Sequence, residues 1–202
     1  MKAPQLIVVG TSGGGYGAVE ELLRGLPADF PLPVAIAGQR PSESRDVEEL
    51  PIGVEPPPQG APLVERLRAA SRLPLREVED KDPVRGGMVH VAPADYHLLV
   101  EDDRFALSLD EHVCHARPSV DVLFESAAWA RGRRLVAVVL GGASFDGARG
   151  AEQVKRHGGH LVVEEPASAG QRTMPEAALA RSAVDRVLPL DEIAAYLLGL
   201  VR

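Results

Sequence analysis

Cysteine is nearly absent from this chain: Cys114 is the only one among 202 residues. A single cysteine cannot form an intramolecular disulfide, so a disulfide-stapled scaffold is excluded and a reducing compartment fits. No apolar run approaches the roughly 20 residues that cross a bilayer. The start of the sequence also lacks the apolar segment of a signal peptide. These absences predict a cytoplasmic protein without membrane insertion.

Dense basic runs are also missing, and the net charge is −7. This balance argues against nucleic acid as a partner. Apolar residues make up 45% of the chain and charged residues 25%, which is ordinary for a globular protein. A chain of this length can bury one substantial core. Residues 1–202 are therefore predicted to form a single domain.

Apolar runs alternate with amphipathic segments along most of the chain, which predicts an α/β fold with a doubly wound, mainly parallel sheet and helices on both faces. Two further runs, at 96–100 and 104–109, flank an acidic turn and indicate a small antiparallel hairpin. Residues 42–62 are rich in proline, glutamate and glycine and predict a surface excursion. Ser119 is expected to cap a helix that ends near Arg131. Strands are predicted at 5–9, 33–37, 88–92, 135–140, 160–163 and 185–188, and helices at 16–24, 61–71, 119–131, 147–157, around 175 and at 191–200.

A glycine-rich turn, Gly10-Thr11-Ser12-Gly13-Gly14, joins the first strand to the first helix. Glycines permit a sharp turn that presents a serine hydroxyl at the strand tip, and the helix start supplies N–H donors for a developing oxyanion. A phosphate-binding turn or a purely structural turn are the alternatives. Dinucleotide binding is disfavoured, because Ala18 occupies the final glycine position of G-x-G-x-x-G. Ser12 is therefore a candidate nucleophile.

Two other strand ends carry polar side chains. Gln39 follows the second strand, and Asp146 lies in the glycine-rich loop 141–147 after the central strand. The carboxyl ends of parallel strands meet at one edge of a sheet, where ligands bind. Ser12, Gln39 and Asp146 are therefore expected in one crevice. The plainer alternatives are a helix cap for Asp146 and a polar loop residue for Gln39.

Longer strings of sequence carry a resemblance to a known family. They are IVVGTSGG, LPADFPLPVAIAGQRP, GGMVHVAPADYHLLV, RPSVDVLFESAAWA, VVLGGASFDGARGAEQVKRHGG and MPEAALARSAVDRVLPLDEIA. With these strings, the chain resembles the catalytic domain of CheB-type protein-glutamate methylesterases of bacterial chemotaxis. This resemblance implies hydrolysis of glutamate methyl esters on receptor helices, deamidation of certain receptor glutamines, and no metal or organic cofactor. It implies methyl-accepting chemotaxis-type receptor helices as partners; no receiver domain is recognised, and a separate receiver protein is a further candidate partner.

The resemblance assigns the family's nucleophile to Ser12 and its triad aspartate to Asp146, and it places Gln39 where the family has histidine. A glutamine amide carries no proton at accessible pH, so it cannot act as the base. Loss of a triad member typically lowers turnover by about 10⁴ to 10⁶. Two hypotheses remain: an impaired hydrolase, or a module that binds receptor helices or a signalling partner without turnover. Further departures from the family pattern are Gly13, Ala143 and Ser144.

Another histidine is the remaining candidate for a base. His112 and His115 precede the RPSVD string and are the histidines expected nearest the crevice. With Cys114 they form a poorly spaced set that lacks a fourth ligand, so no metal site is predicted. The full set is His90, His97, His112, His115, His157 and His160.

Overall fold

The computed structural model describes residues 2–39 and 62–201. Seven parallel strands form the main sheet, and two antiparallel strands form a separate hairpin. The main strands are β1 (Leu6–Thr11), β2 (Val34–Gly38), β3 (Leu75–Glu77), β4 (Val89–Val91), β7 (Leu135–Val139), β8 (His160–Glu164) and β9 (Arg186–Leu188); the hairpin is β5 (His97–Glu101) and β6 (Arg104–Ser108). The order across the sheet is β3-β4-β2-β1-β7-β8-β9.

Helices cover both faces of this sheet. The six helices are α1 (Tyr16–Gly25), α2 (Leu63–Ala70), α3 (Val120–Arg131), α4 (Ala148–Arg156), α5 (Thr173–Arg181) and α6 (Leu190–Gly199). Side chains of α1, α2 and α6 pack into the core on one face, and those of α3, α4, α5 and the hairpin pack into the core on the other. The predicted doubly wound α/β fold with a small antiparallel element is confirmed.

Strand β1 shows how the sequence produces two cores. Leu6 and Val8 point into the core under α3, and Ile7 and Val9 point into the opposite core. A strand that is buried on both faces needs a continuous apolar run rather than an alternating one. Gly10 continues the α3 side, where a Cβ would lie 2.3 Å from Val120 Cγ1. Glycine at this position therefore allows α3 to approach the end of β1.

Two details differ from the sequence expectations. Strand β3 was not predicted, because its three residues include Arg76 and Glu77 and offer no apolar run. Ser119 occupies the N-cap position of α3, but its hydroxyl makes no capping bond, so the expected Ser119 cap is wrong. The predicted surface excursion lies almost wholly in 40–61, outside the described residues.

Within the described part of the chain, no helix combines the length and apolar character needed to cross a membrane.

Candidate active site

Three strand ends meet at one edge of the sheet. In the parallel register, Thr11 pairs with Gly38 and Gly10 pairs with Val139. The turn that carries Ser12 therefore lies between the end of β2 and the end of β7. The sheet order runs in two directions from β1, and such a switch point is where open α/β sheets bind ligands.

Close backbone contacts hold the Ser12 turn against the loop 141–147. A Cβ on Gly142 would lie 2.7 Å from Ser12 Cβ, and a Cβ on Gly15 would lie 1.9 Å from the carbonyl oxygen of Gly141. Any side chain at these two glycines would force the turns apart. The two glycine-rich turns thus pack directly against each other, as their places at neighbouring strand ends predicted.

Ser12 and Gln39 lie at adjacent strand ends without a hydrogen bond between their side chains. Ser12 is 2% exposed, and its Oγ has no hydrogen-bond partner among the described residues. Gln39 is exposed to solvent. A general base must lie within hydrogen-bond reach of the proton that it removes. No such group forms a hydrogen bond with the Ser12 hydroxyl among the described residues, and the relay between Ser12, Gln39 and Asp146 stays a prediction.

Asp146 is 1% exposed and its carboxylate is fully engaged with the start of α3. Oδ1 accepts hydrogen bonds from Ser119 Oγ at 2.7 Å and from the N–H of Asp121 at 3.0 Å, and Oδ2 accepts the N–H of Val120 at 2.7 Å. Burial raises the pKa of Asp146, while these three hydrogen bonds favour the ionised form. Asp146 therefore caps the N-terminus of α3 from outside that helix.

Asp121 makes the reciprocal contact with α4. Its Oδ1 accepts the N–H of Gly147 at 2.9 Å and the N–H of Gly150 at 2.7 Å. Asp146 thus satisfies N–H groups at the start of α3, which contains Asp121, and Asp121 satisfies N–H groups at the start of α4, which begins two residues after Asp146. Both carboxylates lie where a helix dipole favours negative charge. The sequence offered a cap for Asp146 as one alternative, but it contained no signal that paired it with Asp121.

Glu164 fixes the other end of the loop. Its Oε2 accepts the N–H of Gly141 at 2.7 Å, and Thr11 Oγ1 donates to the carbonyl of the same glycine at 2.8 Å. Burial raises the pKa of Glu164. Glu164 was not predicted as a site residue, although its position directly after the strand predicted at 160–163 places an acidic side chain at this edge of the sheet.

No described histidine supplies a base to the Ser12 hydroxyl in this conformation. His97 is buried; its Nδ1 accepts the N–H of Ser119 at 3.2 Å, and its Nε2 then donates to the carbonyl of Glu111 at 3.0 Å. His112 and His115 are exposed. None of the six described histidines bonds to the Ser12 hydroxyl.

One group of potential metal ligands lies beside the capping pair. Cys114 Sγ and carboxylate oxygens of Asp121 and Asp146 lie within 4.8 Å of one another. Both carboxylates already accept backbone N–H groups, and Arg149 Nε lies 3.9 Å from Asp121 Oδ2. This set differs from the His112–Cys114–His115 set considered from sequence. Both Asp146 oxygens and Asp121 Oδ1 are committed to helix capping, and Asp121 Oδ2 faces a guanidinium, which does not fit a cation.

The comparisons with known proteins agree with this architecture. A sequence model of the CheB methylesterase family matches residues 54–197. The chain belongs to the CheB methylesterase family. The matched segment contains Asp146 and begins after Ser12 and Gln39.

Relatives extend the similarity over nearly the whole chain. A putative protein-glutamate methylesterase/protein-glutamine glutaminase of Leptospira interrogans is 37% identical over 191 residues, covering 94% of this chain and 91% of the relative. Protein-glutamate methylesterase/protein-glutamine glutaminase 2 of Anaeromyxobacter dehalogenans is 39% identical over 198 residues, covering 98% of this chain and 54% of the relative. The chain thus spans about half the length of that second relative.

A crystal structure supports the same grouping. The CheB methylesterase catalytic domain of Thermotoga maritima superposes with a TM-score of 0.84 at 29% identity, covering 98% of this chain and 99% of that chain. The assignment of Ser12, Gln39 and Asp146 to triad positions stays a prediction.

Proposed function

We propose that this chain binds receptor helices as a member of the CheB methylesterase family, and that its hydrolysis of glutamate methyl esters is slowed by the missing imidazole. The names of its relatives, protein-glutamate methylesterase/protein-glutamine glutaminase, support the substrate class. We place its action in the cytoplasm, with residues 1–202 acting as one domain and a separate receiver protein as a further partner. The observation that carries the proposal is that the Ser12 hydroxyl has no hydrogen-bond partner among the described residues.

Ester hydrolysis by a serine needs a group that removes the hydroxyl proton and later returns a proton to the leaving methoxide. Gln39 can donate and accept hydrogen bonds but cannot exchange a proton in this way. Asp146 is committed to three donors of its own. The Ser12 turn and the start of α1 remain able to hold a substrate carbonyl, because helix N-termini present N–H groups. Binding is thus favoured over turnover.

Methanol release from methylated receptor fragments tests this proposal. We expect the wild-type protein to release methanol at least about 10⁴-fold more slowly than ordinary enzymes turn over, which is the usual penalty for an incomplete triad. Gln39→His should raise the rate, because an imidazole pKa lies near neutrality. Gln39→Ala is the matched control and should give no gain.

Two results would contradict the proposal. The first is turnover at ordinary enzyme rates, roughly 1–10³ s⁻¹, by the wild-type protein. The second is rapid turnover that survives Gln39→Ala and disappears in Ser12→Ala, which would identify a different base. Failure of Gln39→His to raise the rate would mean that other departures, such as Gly13 and Ala143, also disable the site.

A further inference from the structure

Helix α4 carries a straight stripe of arginine. Arg149 and Arg156 are seven residues apart, so they lie on one face of the helix about 10.5 Å apart along its axis. Arg181 of α5 extends the stripe, because its Nε donates to Glu152 at 2.7 Å and Glu152 also pairs with Arg156. All three arginine side chains are about half exposed or more.

Arginines outnumber their acidic partners on this surface, although the whole chain has a net charge of −7. Arg149 Nε donates to Glu125 at 2.6 Å, and two arginines share Glu152. The nearby Asp121 is buried; its Oδ1 accepts two backbone N–H groups, and its Oδ2 lies 3.9 Å from Arg149 Nε. Arg133 packs beside Gly158, close to the end of α4, and has no ion pair within the described residues.

Exposed aromatic rings flank both ends of α4. Phe145, three residues before the helix, is 68% exposed. Trp129, the only tryptophan of the chain, is 77% exposed, and its ring centroid lies 4.6 Å from that of His157, which follows α4 directly. Tryptophan and arginine are the residue types most enriched in the energetic centres of protein interfaces.

A groove beside this stripe has a small-residue floor. It encloses about 590 Å³. Alanine side chains allow the backbone of a partner helix to approach closely. The two arginines at the edge of the groove can reach carboxylates of that helix. Ala148, Ala177 and Ala180 line the groove together with Arg149 and Arg181, and the buried Asp121 is also part of the lining.

We propose that this surface docks an acidic amphipathic helix, with carboxylates seven residues apart on Arg149 and Arg156 and an apolar side chain in the alanine-floored groove. The inference rests on the proposed function, since the occupant is a receptor helix. A guanidinium forms charge-assisted hydrogen bonds with a carboxylate, whereas a methyl ester has no charge. The surface therefore prefers the demethylated glutamate form of the helix. This protein would then bind the demethylated helix, which is the product of the methylesterase reaction that the names of its relatives describe.

Helical peptides of identical sequence test this preference in fluorescence anisotropy titrations. The two positions seven residues apart carry glutamate, glutamine or glutamate methyl ester, and the protein carries Ser12→Ala so that no ester is cleaved. We expect about tenfold tighter binding of the glutamate peptide, which corresponds to two partly exposed ion pairs. A peptide with glutamates five residues apart should lose this advantage, because its carboxylates lie on different faces.

Variants locate the binding surface. Arg149→Gln combined with Arg156→Gln should remove the tenfold preference, and the exposed Arg72→Gln, on a different helix-flanking segment, should retain it. Equal affinity for all three peptides, or no binding of any, would overturn the inference. Methanol release by the wild-type protein is measured separately. Rapid turnover would contradict the proposed function, whereas only the titrations test the preference for the charged peptide.

Discussion

Loss of the Asp146 carboxylate should destabilise the fold, whereas loss of the Ser12 hydroxyl should not. Asp146 satisfies three buried donors at the start of α3, and each such donor left unpaired costs about 1–3 kcal/mol. Burial of the carboxylate carries its own cost, as the raised pKa of Asp146 indicates. The net loss for Asp146→Ala is therefore about 3–4 kcal/mol, a large part of the roughly 5–15 kcal/mol that stabilises a typical domain.

Ser12→Ala removes a hydroxyl that is buried without a partner. Nothing is left unsatisfied by this change, and a buried unpaired hydroxyl is removed, so the free energy of unfolding should stay the same or rise by up to about 1–3 kcal/mol. Urea unfolding followed by far-UV circular dichroism measures both variants, with an unchanged slope as the check that the unfolding transition is comparable. Asp146→Asn should lose about 2 kcal/mol, because the amide oxygen can keep only part of the three bonds.

A double-mutant cycle tests whether the two aspartates act together. Asp121→Asn and Asp146→Asn should couple by about 0.5–3 kcal/mol, because each aspartate holds the loop or helix start that carries the other. Additive losses would refute the reciprocal arrangement. A loss below about 0.5 kcal/mol for Asp146→Ala would refute the capping role altogether.

Two further substitutions give opposite pH dependences. Burial raises the pKa of Glu164, so stability falls as the pH rises above the ordinary pKa of a glutamate and the buried carboxyl ionises. Glu164→Gln removes this penalty and should stabilise the protein near neutrality in thermal melts. The gain should disappear below about pH 4, where the carboxyl is protonated in both states. Asp185 behaves in the other direction. Burial opposes its ionisation, but hydrogen bonds from Lys155 and Leu161 lower its pKa, and Asp185→Asn should cost about 1 kcal/mol at pH 7 and progressively less below about pH 4.

The fold followed from the sequence because buried parallel strands need continuous apolar runs. The run at 135–140 predicted β7, and the alternation of such runs with amphipathic segments predicted the layers around the sheet. Strand β3 was missed since three residues at the sheet edge, two of them charged, leave no pattern. Strand-end positions also placed Ser12 and the loop 141–147 side by side.

The hydrogen bonds at that edge of the sheet could not be predicted from the spacing of apolar residues. The bond between Asp146 and the start of α3 joins residues 25 to 27 positions apart on different elements. Ser119 looked like a helix cap by residue type, yet its hydroxyl donates to Asp146 instead. Local signals identify the residues that can cap a helix, and only the packed structure decides which helix each one caps.

The capping role changes how activity measurements on Asp146 should be understood. A residue that satisfies three buried donors stabilises the fold whether or not it orients a catalytic base, so lost activity in Asp146→Ala would not distinguish these roles. Ser12 has no such structural bond among the described residues. Because Ser12→Ala should not destabilise the fold, a loss of methanol release in that variant can be attributed to chemistry. The serine, rather than the aspartate, is therefore the decisive position for any residual hydrolysis.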